Sequence, residues 1–164
     1  MDQMRTLYLL RHAKSSWQDE SLADFDRPLK KRGREAAKLV GKLIASEKVS
    51  DLLIVSSSAQ RTRETTELVL KSVKAEVLHD PEIYEADLPS LLEVLSRLSD
   101  DRKTVILVGH NPGMEILVRY LTREVAVMPT AALAKIVIDN SSWKALSEGC
   151  GRLEWLTTPK DIES

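Results

Sequence analysis

Two histidines and two arginines stand directly after, or close behind, three apolar runs of this sequence. Arg11 and His12 follow the first run, and Arg61 comes shortly after the second. His110 follows the third. A neutral histidine can act as a covalent nucleophile, and a guanidinium group offers a planar fork of donors to two phosphoryl oxygens. These residue types together predict phosphoryl-transfer chemistry.

The three apolar runs must place these side chains in one site if they are to act together. Residues 7–10, 52–55 and 104–108 are almost wholly apolar and predict strands buried on both faces. In open α/β sheets, ligands bind just beyond the carboxyl ends of the strands. We therefore expect the three strand ends to deliver both histidines and both arginines to the same edge of a sheet.

The rest of the chain alternates between the two kinds of element. Amphipathic or apolar periodicity predicts helices at residues 30–46, 59–72, 88–98 and 112–121, and further strands at 76–78, 134–138 and 153–156. This order predicts an α/β protein of three α/β/α layers, with a mostly parallel central sheet and helices on both faces. Little helix separates the last two strands, so we expect them to pair antiparallel at an edge.

Two predicted helices begin next to the predicted site. Residues 57–60 read Ser-Ser-Ala-Gln, which is typical of a capping box, and Asn111 and Pro112 are typical of an N-cap and a first turn. Helix N-termini favour anions. One histidine would attack a phosphorus atom whose charge the arginines neutralise, and the other would donate a hydrogen bond or position the phosphoryl group. No metal is needed if the arginines carry this charge.

Simpler explanations exist for each of these residues. Either histidine alone could be an ordinary strand-end residue, and Arg61 could pair with Glu64 on its helix. Arg61 in a first helical turn opposes the helix dipole, which a nearby anion would explain. A zinc site formed by the chain's three histidines lacks the usual ligand spacing and a cysteine partner. His79 precedes Asp-Pro in an expected turn and is interpreted as a surface residue.

Composition limits the class of protein. The 164 residues predict a single domain, residues 1–164, and the net charge of −1 favours neither nucleic acid nor a membrane surface as a partner. One cysteine, Cys150, allows no internal disulfide and fits a cytoplasmic location. We expect no signal peptide and no membrane span. The basic run at residues 30–34 is interpreted as a solvated helix start or as a guide for an acidic partner.

Four stretches in order resemble the histidine phosphatase superfamily, also called phosphoglycerate mutase-like, and within it the small SixA-type phosphohistidine phosphatases. "LLRHAKS" is similar to the Arg-His-Gly signature at the end of the first strand, and "DFDRPLKKRGREAA" to an Asp-x-x-Arg-Pro-Leu-x-x-x-Gly segment. "SSAQRTRET" and "VGHNPG" are similar to the segments that carry the second arginine and second histidine. The resemblance spans nearly the whole chain.

The resemblance implies a role for each site residue. His12 would be the nucleophile that becomes phosphorylated, and Arg11, Arg61 and His110 would complete the phosphate pocket. Many relatives use an acidic proton donor after the third strand, which implies Glu82 or Glu85 here, with Glu82 the better match. Ser15 and Asn111 are further candidates for phosphate contact. No cofactor and no metal are implied.

This chain departs from the family pattern at one position of the signature. Ala13 stands where the signature has glycine, which is harmless unless this position needs a positive φ. The segment between the second helix and the third apolar strand is also short, so it leaves little chain for a lid. An open site suits a phosphoryl group carried on a protein.

These observations predict a metal-independent phosphatase that works through a phosphohistidine intermediate and acts on protein phosphohistidine, as in signal transduction. The first alternative is a phosphatase for small phosphomonoesters. The alternative from another class is a non-catalytic module that binds phosphate or phosphoproteins.

Overall fold

The computed structural model describes residues 4–140 and 142–163. Within these residues, strands and helices alternate as the sequence pattern predicts. The strands are β1 Met4–Arg11, β2 Leu53–Ser57, β3 Glu76–Asp80, β4 Thr104–Gly109, β5 Leu133–Asp139 and β6 Gly151–Thr157. The α-helices are α1 Lys31–Ser46, α2 Gln60–Val69, α3 Leu88–Ser96, α4 Gly113–Thr122 and α5 Pro159–Glu163. None of these helices is long and apolar enough to cross a membrane.

The six strands form one sheet in the order β3-β2-β4-β1-β5-β6. The first four strands of this order are parallel, and β1 pairs with β4 from Thr6 opposite Thr104 to Arg11 opposite Gly109. β5 runs antiparallel to β1, and β6 antiparallel to β5. The predicted mostly parallel sheet with an antiparallel pair at one edge is confirmed.

Successive residues of β1 point to opposite faces of the sheet, and both faces are covered. Leu7 and Leu9 pack in one cluster with the apolar sides of α3 and α4. Tyr8 and Leu10 pack in a second cluster with α1 and α2. Full burial of one leucine side chain stabilises the fold by about 1.5–3 kcal/mol. The predicted three-layer architecture follows from burial on both faces, which holds the strand ends in fixed relative positions.

Both predicted helix caps next to the site are wrong. The residue before α2 is Ala59, which has no polar side-chain atom to cap the helix, and the Ser57 hydroxyl is hydrogen-bonded to His110 and to the Ala59 amide. The residue before α4 is Pro112, and the Asn111 amide donates to other groups. In both places, tertiary contacts take the polar side chain that a local pattern assigns to the helix end.

Gly33 allows α1 to begin directly against the loop that follows β1. A Cβ atom at Gly33 would lie 2.0 Å from the carbonyl oxygen of Lys14, which already accepts a hydrogen bond of 3.0 Å from the Lys30 amide. Only a shift of backbone could relieve that overlap. We expect Gly33→Ala to lower the free energy of unfolding by about 3 kcal/mol, measured by urea denaturation. Lys38→Ala, at an exposed position of α1, is the matched control, and equal stability of both variants would contradict the prediction.

Candidate active site

Three adjacent parallel strands end side by side and bring the two histidines together. β1 leads into His12, β4 into His110, and β2 ends at Ser57. The centroids of the His12 and His110 rings are 5.3 Å apart, with their planes tilted by 51°. Parallel strands share one carboxyl edge, so their sequence order does not matter for this convergence.

His12 is held in one orientation by its own backbone neighbour. Its side chain is only 6% exposed, and Nδ1 lies 2.7 Å from the carbonyl oxygen of Ala13. A carbonyl only accepts, so Nδ1 carries the proton and Nε2 keeps its lone pair. Nε2 accepts a weak hydrogen bond of 3.4 Å from Nε of Arg61. Burial, together with the positive charges of Arg61 and Arg11, lowers the pKa of His12 to about 4.

His110 is also buried and neutral. Its Nε2 is 2.8 Å from the hydroxyl of Ser57, and its Nδ1 is buried without a hydrogen-bond partner among the described residues. Burial, followed by the nearby His12 and Arg61, lowers the pKa of His110 to about 3. The Tyr84 ring lies edge-on to the imidazole, with 5.4 Å between centroids. At neutral pH, both rings can therefore present an uncharged nitrogen to a ligand.

We expect the imidazoles of His12 and His110 to titrate far below an ordinary histidine. Nitrogen-15 NMR of the side chains should give midpoints near pH 4 for His12 and near pH 3 for His110, each ring being neutral above its midpoint. The variants His12→Asn and His110→Asn assign the two signals. Inorganic phosphate should raise both midpoints, because an anion in the site stabilises the imidazolium. A His12 midpoint of about 6.5, the value for an unperturbed histidine, would contradict the buried setting.

Three arginines surround the two imidazoles. Arg11 donates to the carbonyl oxygen of Met128 at 3.0 Å, and its buried Nε has no partner among the described residues. Arg61 comes from the first turn of α2, is 6% exposed, and faces His12. Arg27, also 6% exposed, comes from the loop between β1 and α1. The third arginine was not predicted as a site residue.

Arg27 and Asp24, both from the loop between β1 and α1, form an ion pair next to the strand ends. Nε of Arg27 donates to Asp24 at 3.1 Å, and its NH1 donates to the hydroxyl of Ser15 at 2.9 Å. The guanidinium also lies 3.3 Å from the ring centroid of Trp17. Both residues lie in the segment quoted above for its family resemblance. Their roles escaped prediction because they follow no strand and belong to no periodic element.

Asp24 is the carboxylate on which three donors converge. Arg61 donates to its Oδ2 at 3.0 Å and to its backbone oxygen at 2.8 Å, and the Tyr84 hydroxyl donates to Oδ2 at 2.5 Å. Burial favours the neutral acid, but the Tyr84 hydrogen bond and the charge of Arg61 outweigh it and lower the pKa of Asp24 to about 2. The alternative pairing of Arg61 with Glu64 does not occur, since Arg61 pairs with Asp24 and Glu64 accepts from Gln60.

A cavity of about 350 Å³ opens over these groups. Its lining residues are Arg11, His12, Lys14, Ser15, Trp17, Arg27, Lys30, Arg61, His110, Asn111 and Thr130. Five of them are lysines or arginines, and none is an acid. A concave wall of cationic donors around a neutral imidazole suits a small anion such as a phosphoryl group.

Ser15 and Asn111, the two further candidates for phosphate contact, differ in the donors that they offer. Ser15 lines the cavity, and its hydroxyl, which accepts from Arg27, can still donate to an anion. Asn111 also lines the cavity, but its amide nitrogen donates to the Met128 carbonyl at 2.8 Å and to Glu115 at 3.1 Å. Both amide protons are therefore occupied, and the remaining oxygen cannot bind a phosphate oxygen. The side chain of Asn111 thus does not offer the predicted contact.

The two candidate proton donors do not line the cavity. Glu82 is exposed and accepts from Arg97 at 2.7 Å, after a tight turn in which its amide donates to Asp80. Glu85 is exposed as well. From the same turn, Tyr84 reaches the site instead and contacts Asp24 and His110. The structure therefore brings together Arg11, His12, Arg61 and His110 but leaves Glu82 in a surface ion pair.

Two smaller expectations can be checked directly. Ala13 is buried, its amide donates to the Thr65 hydroxyl at 3.0 Å, and it is not among the residues with a positive φ. Alanine therefore replaces glycine there without backbone strain.

His79 lies in β3 and is exposed, as predicted, although in a strand and not in a turn. In the part of the chain that the structure describes, no three histidine, cysteine or acidic side chains form a metal-binding group.

Comparisons with known proteins agree with this fold. Residues 7–93 match the model of the histidine phosphatase superfamily (branch 1). An uncharacterized chloroplastic protein of Arabidopsis thaliana is 37% identical over 174 residues, covering 94% of this chain and 78% of that protein.

Two solved structures extend the similarity to the whole fold. One, assigned as the phosphohistidine phosphatase SixA of Nakamurella multipartitia, has a TM-score of 0.84 at 25% identity and covers 95% of this chain and 96% of its own. Another, assigned as SixA of Agrobacterium tumefaciens, has a TM-score of 0.80 at 29% identity. The similarity covers 94% of this chain and 98% of that structure's chain.

The fold and the family match define a phosphatase of the phosphoglycerate mutase-like class. The chain belongs to the histidine phosphatase superfamily and is SixA-like within it.

Proposed function

We propose that this phosphatase removes phosphoryl groups from histidine residues of another protein, without a metal, through a phosphohistidine formed on His12. The neutral Nε2 of His12 supports the role of nucleophile, because its lone pair is exposed to the cationic cavity while Nδ1 is anchored to Ala13. Arg11, Arg27 and Arg61 would neutralise the phosphoryl oxygens, which is the task that a metal ion performs in other phosphatases.

The reaction would have two steps. Nε2 of His12 attacks phosphorus in line with the leaving group, so that a new P–N bond forms while the substrate's P–N bond breaks. The leaving imidazole takes up a proton from solvent. Water then attacks the phosphohistidine, which releases inorganic phosphate and restores neutral His12. His110, with an unpartnered buried Nδ1, would contact the phosphoryl group in both steps.

The proposed substrate follows from the ionised carboxylate of Asp24. It forms ion pairs with Arg27 at 3.1 Å and with Arg61 at 3.0 Å, and these contacts lower its pKa and keep it ionised at neutral pH. An ionised carboxylate cannot protonate a leaving group. An alkoxide needs that proton in order to leave, whereas imidazole leaves more easily without it. A site with this charge arrangement favours phosphohistidine over alkyl phosphomonoesters.

The mouth of the cavity fits a protein-borne group. Trp17 lines the cavity and is 72% exposed, so it can contact a macromolecule around the phosphoryl group. Small phosphomonoesters remain the alternative substrates, since the phosphate-binding groups would be the same for both.

The test compares leaving groups on one enzyme with EDTA present. We expect kcat/KM to fall from a phosphohistidine peptide to p-nitrophenyl phosphate and then to an alkyl phosphate, with the alkyl ester lower than the peptide by about 10²–10⁴, the usual contribution of a general acid. Equal rates on the alkyl ester and the peptide would contradict the substrate assignment. Loss of activity with EDTA would contradict the metal-free mechanism, and phosphate binding without turnover on any substrate would favour a binding module.

A further inference from the structure

A second and larger cavity adjoins the catalytic cavity. Its volume is about 630 Å³, and it shares the walls formed by Lys14 and Thr130 with the catalytic cavity. Its other polar lining groups are Arg32 and Glu35 of α1, Thr158, and Lys160 of α5. The lining thus holds three cationic side chains and one carboxylate, which suits an acidic ligand, whereas the Thr158 hydroxyl already donates to Asp161.

The cations at the start of α1 stand where the helix itself does not favour them. The first turn of α1 carries Lys31, Arg32 and Arg34 and no acidic residue, so its charges oppose the helix dipole. Arg32 is exposed, and burial in the core does not explain its position. An acidic group bound in the adjoining cavity would turn this unfavourable arrangement into a favourable one.

The second cavity is fixed relative to His12 by backbone contacts. The Lys30 amide donates to the Lys14 carbonyl, and Gly33 packs so closely on Lys14 that no Cβ would fit. The Ala131 amide, next to the lining residue Thr130, donates to the carbonyl oxygens of Arg11 and His12. A ligand that spans both cavities would therefore meet two sites at a constant separation.

We propose that this second cavity binds acidic side chains that flank the phosphohistidine of the substrate protein. The inference rests on the proposed function, because it places the substrate's phosphoryl group over His12 and its acidic neighbours over Arg32 and Lys160. It assigns a substrate preference to the basic run at residues 30–34.

The experiment uses two synthetic peptides with the same chemically phosphorylated histidine. One carries aspartates on both sides of the phosphohistidine, and the other carries asparagines. We expect the wild-type enzyme to prefer the aspartate peptide, mainly through a lower KM, and this preference to fall as salt is added. Arg32→Gln should raise KM for the aspartate peptide about fivefold, the upper range for an exposed ion pair, and leave the asparagine peptide unchanged.

Lys38→Gln is the matched control, because Lys38 is an exposed cation of the same helix outside the cavity lining. Equal kcat/KM for both peptides, or equal effects of Arg32→Gln and Lys38→Gln on KM, would overturn the inference. Turnover of both peptides would in that case still support the proposed function. An effect of Arg32→Gln on fructose 1,6-bisphosphate as large as that on the aspartate peptide would also overturn it, since the cavity would then serve a small substrate. Turnover of p-nitrophenyl phosphate should be unchanged in both variants.

Discussion

The variant His12→Ala is expected to lower kcat by about 10⁴-fold or more on every substrate, as removal of a covalent nucleophile does. In the wild type, Nε2 of His12 is the unprotonated, oriented nitrogen that faces the arginines of the cavity. The remaining groups could still bind phosphate, but the variant lacks the nitrogen on which the proposed phosphohistidine forms.

The fold should survive this change, since His12 lies beyond the end of β1 and outside both hydrophobic clusters. Denaturant unfolding and inorganic phosphate binding check that the protein is intact, and His79→Ala, at an exposed histidine, should keep full activity. In the wild type, rapid quenching in alkali should trap a phosphorylated enzyme whose phosphorus-31 signal is that of phosphohistidine. A His12→Ala enzyme that retains most of its turnover would exclude His12 as the nucleophile.

The variant Arg61→Gln is expected to lower kcat/KM by about 10³-fold, within the range for an arginine that stabilises a transferring phosphoryl group. Its guanidinium is buried and lies between His12 and Asp24, so the phosphoryl group on Nε2 would form directly beside it. Glutamine keeps much of the length and polarity of the side chain but removes the charge and the planar fork. Binding of inorganic phosphate should weaken as well.

Arg63→Gln is the control for this effect, because Arg63 is an exposed cation two positions further along the same helix. It should leave kcat/KM unchanged. Steady-state kinetics on a phosphohistidine peptide and on p-nitrophenyl phosphate measure both variants. If Arg61→Gln and Arg63→Gln lose the same small amount of activity, Arg61 contributes only to the general positive field of the protein.

The strand-end residues could be predicted because two local signals coincide there. Apolar runs identify the buried strands, and the polar residues that follow them must lie at the carboxyl edge of a parallel sheet. Arg11, His12 and His110 therefore lie at one edge of the sheet, and Arg61 lies next to them in the first turn of α2. Their placement needs no knowledge of how the loops fold.

The loop residues that contact the site could not be predicted in the same way. Asp24, Arg27 and Tyr84 lie in loops and tight turns, where side-chain direction depends on long-range contacts and not on a repeating period. The predicted proton donor Glu82 shows the consequence, because one tight turn carries Tyr84 to Asp24 and Glu82 to Arg97. The caps expected from Ser57 and Asn111 were wrong since those side chains bind His110 and Met128.

Local patterns in the chain thus predict the α/β sheet and the edge that carries the site, and the residue types at that edge predict a phosphate site. The sheet follows from hydrophobic periodicity, which is local and strong, and the phosphate chemistry follows from the imidazole and guanidinium groups themselves. The protonation states and the counter-ions depend instead on long-range contacts. Burial lowers the pKa values of His12 and His110, and a folded loop holds Asp24 ionised against Arg27 and Arg61. A pKa depends on the solvent and charges within a few ångströms, and these are known only when distant segments have met.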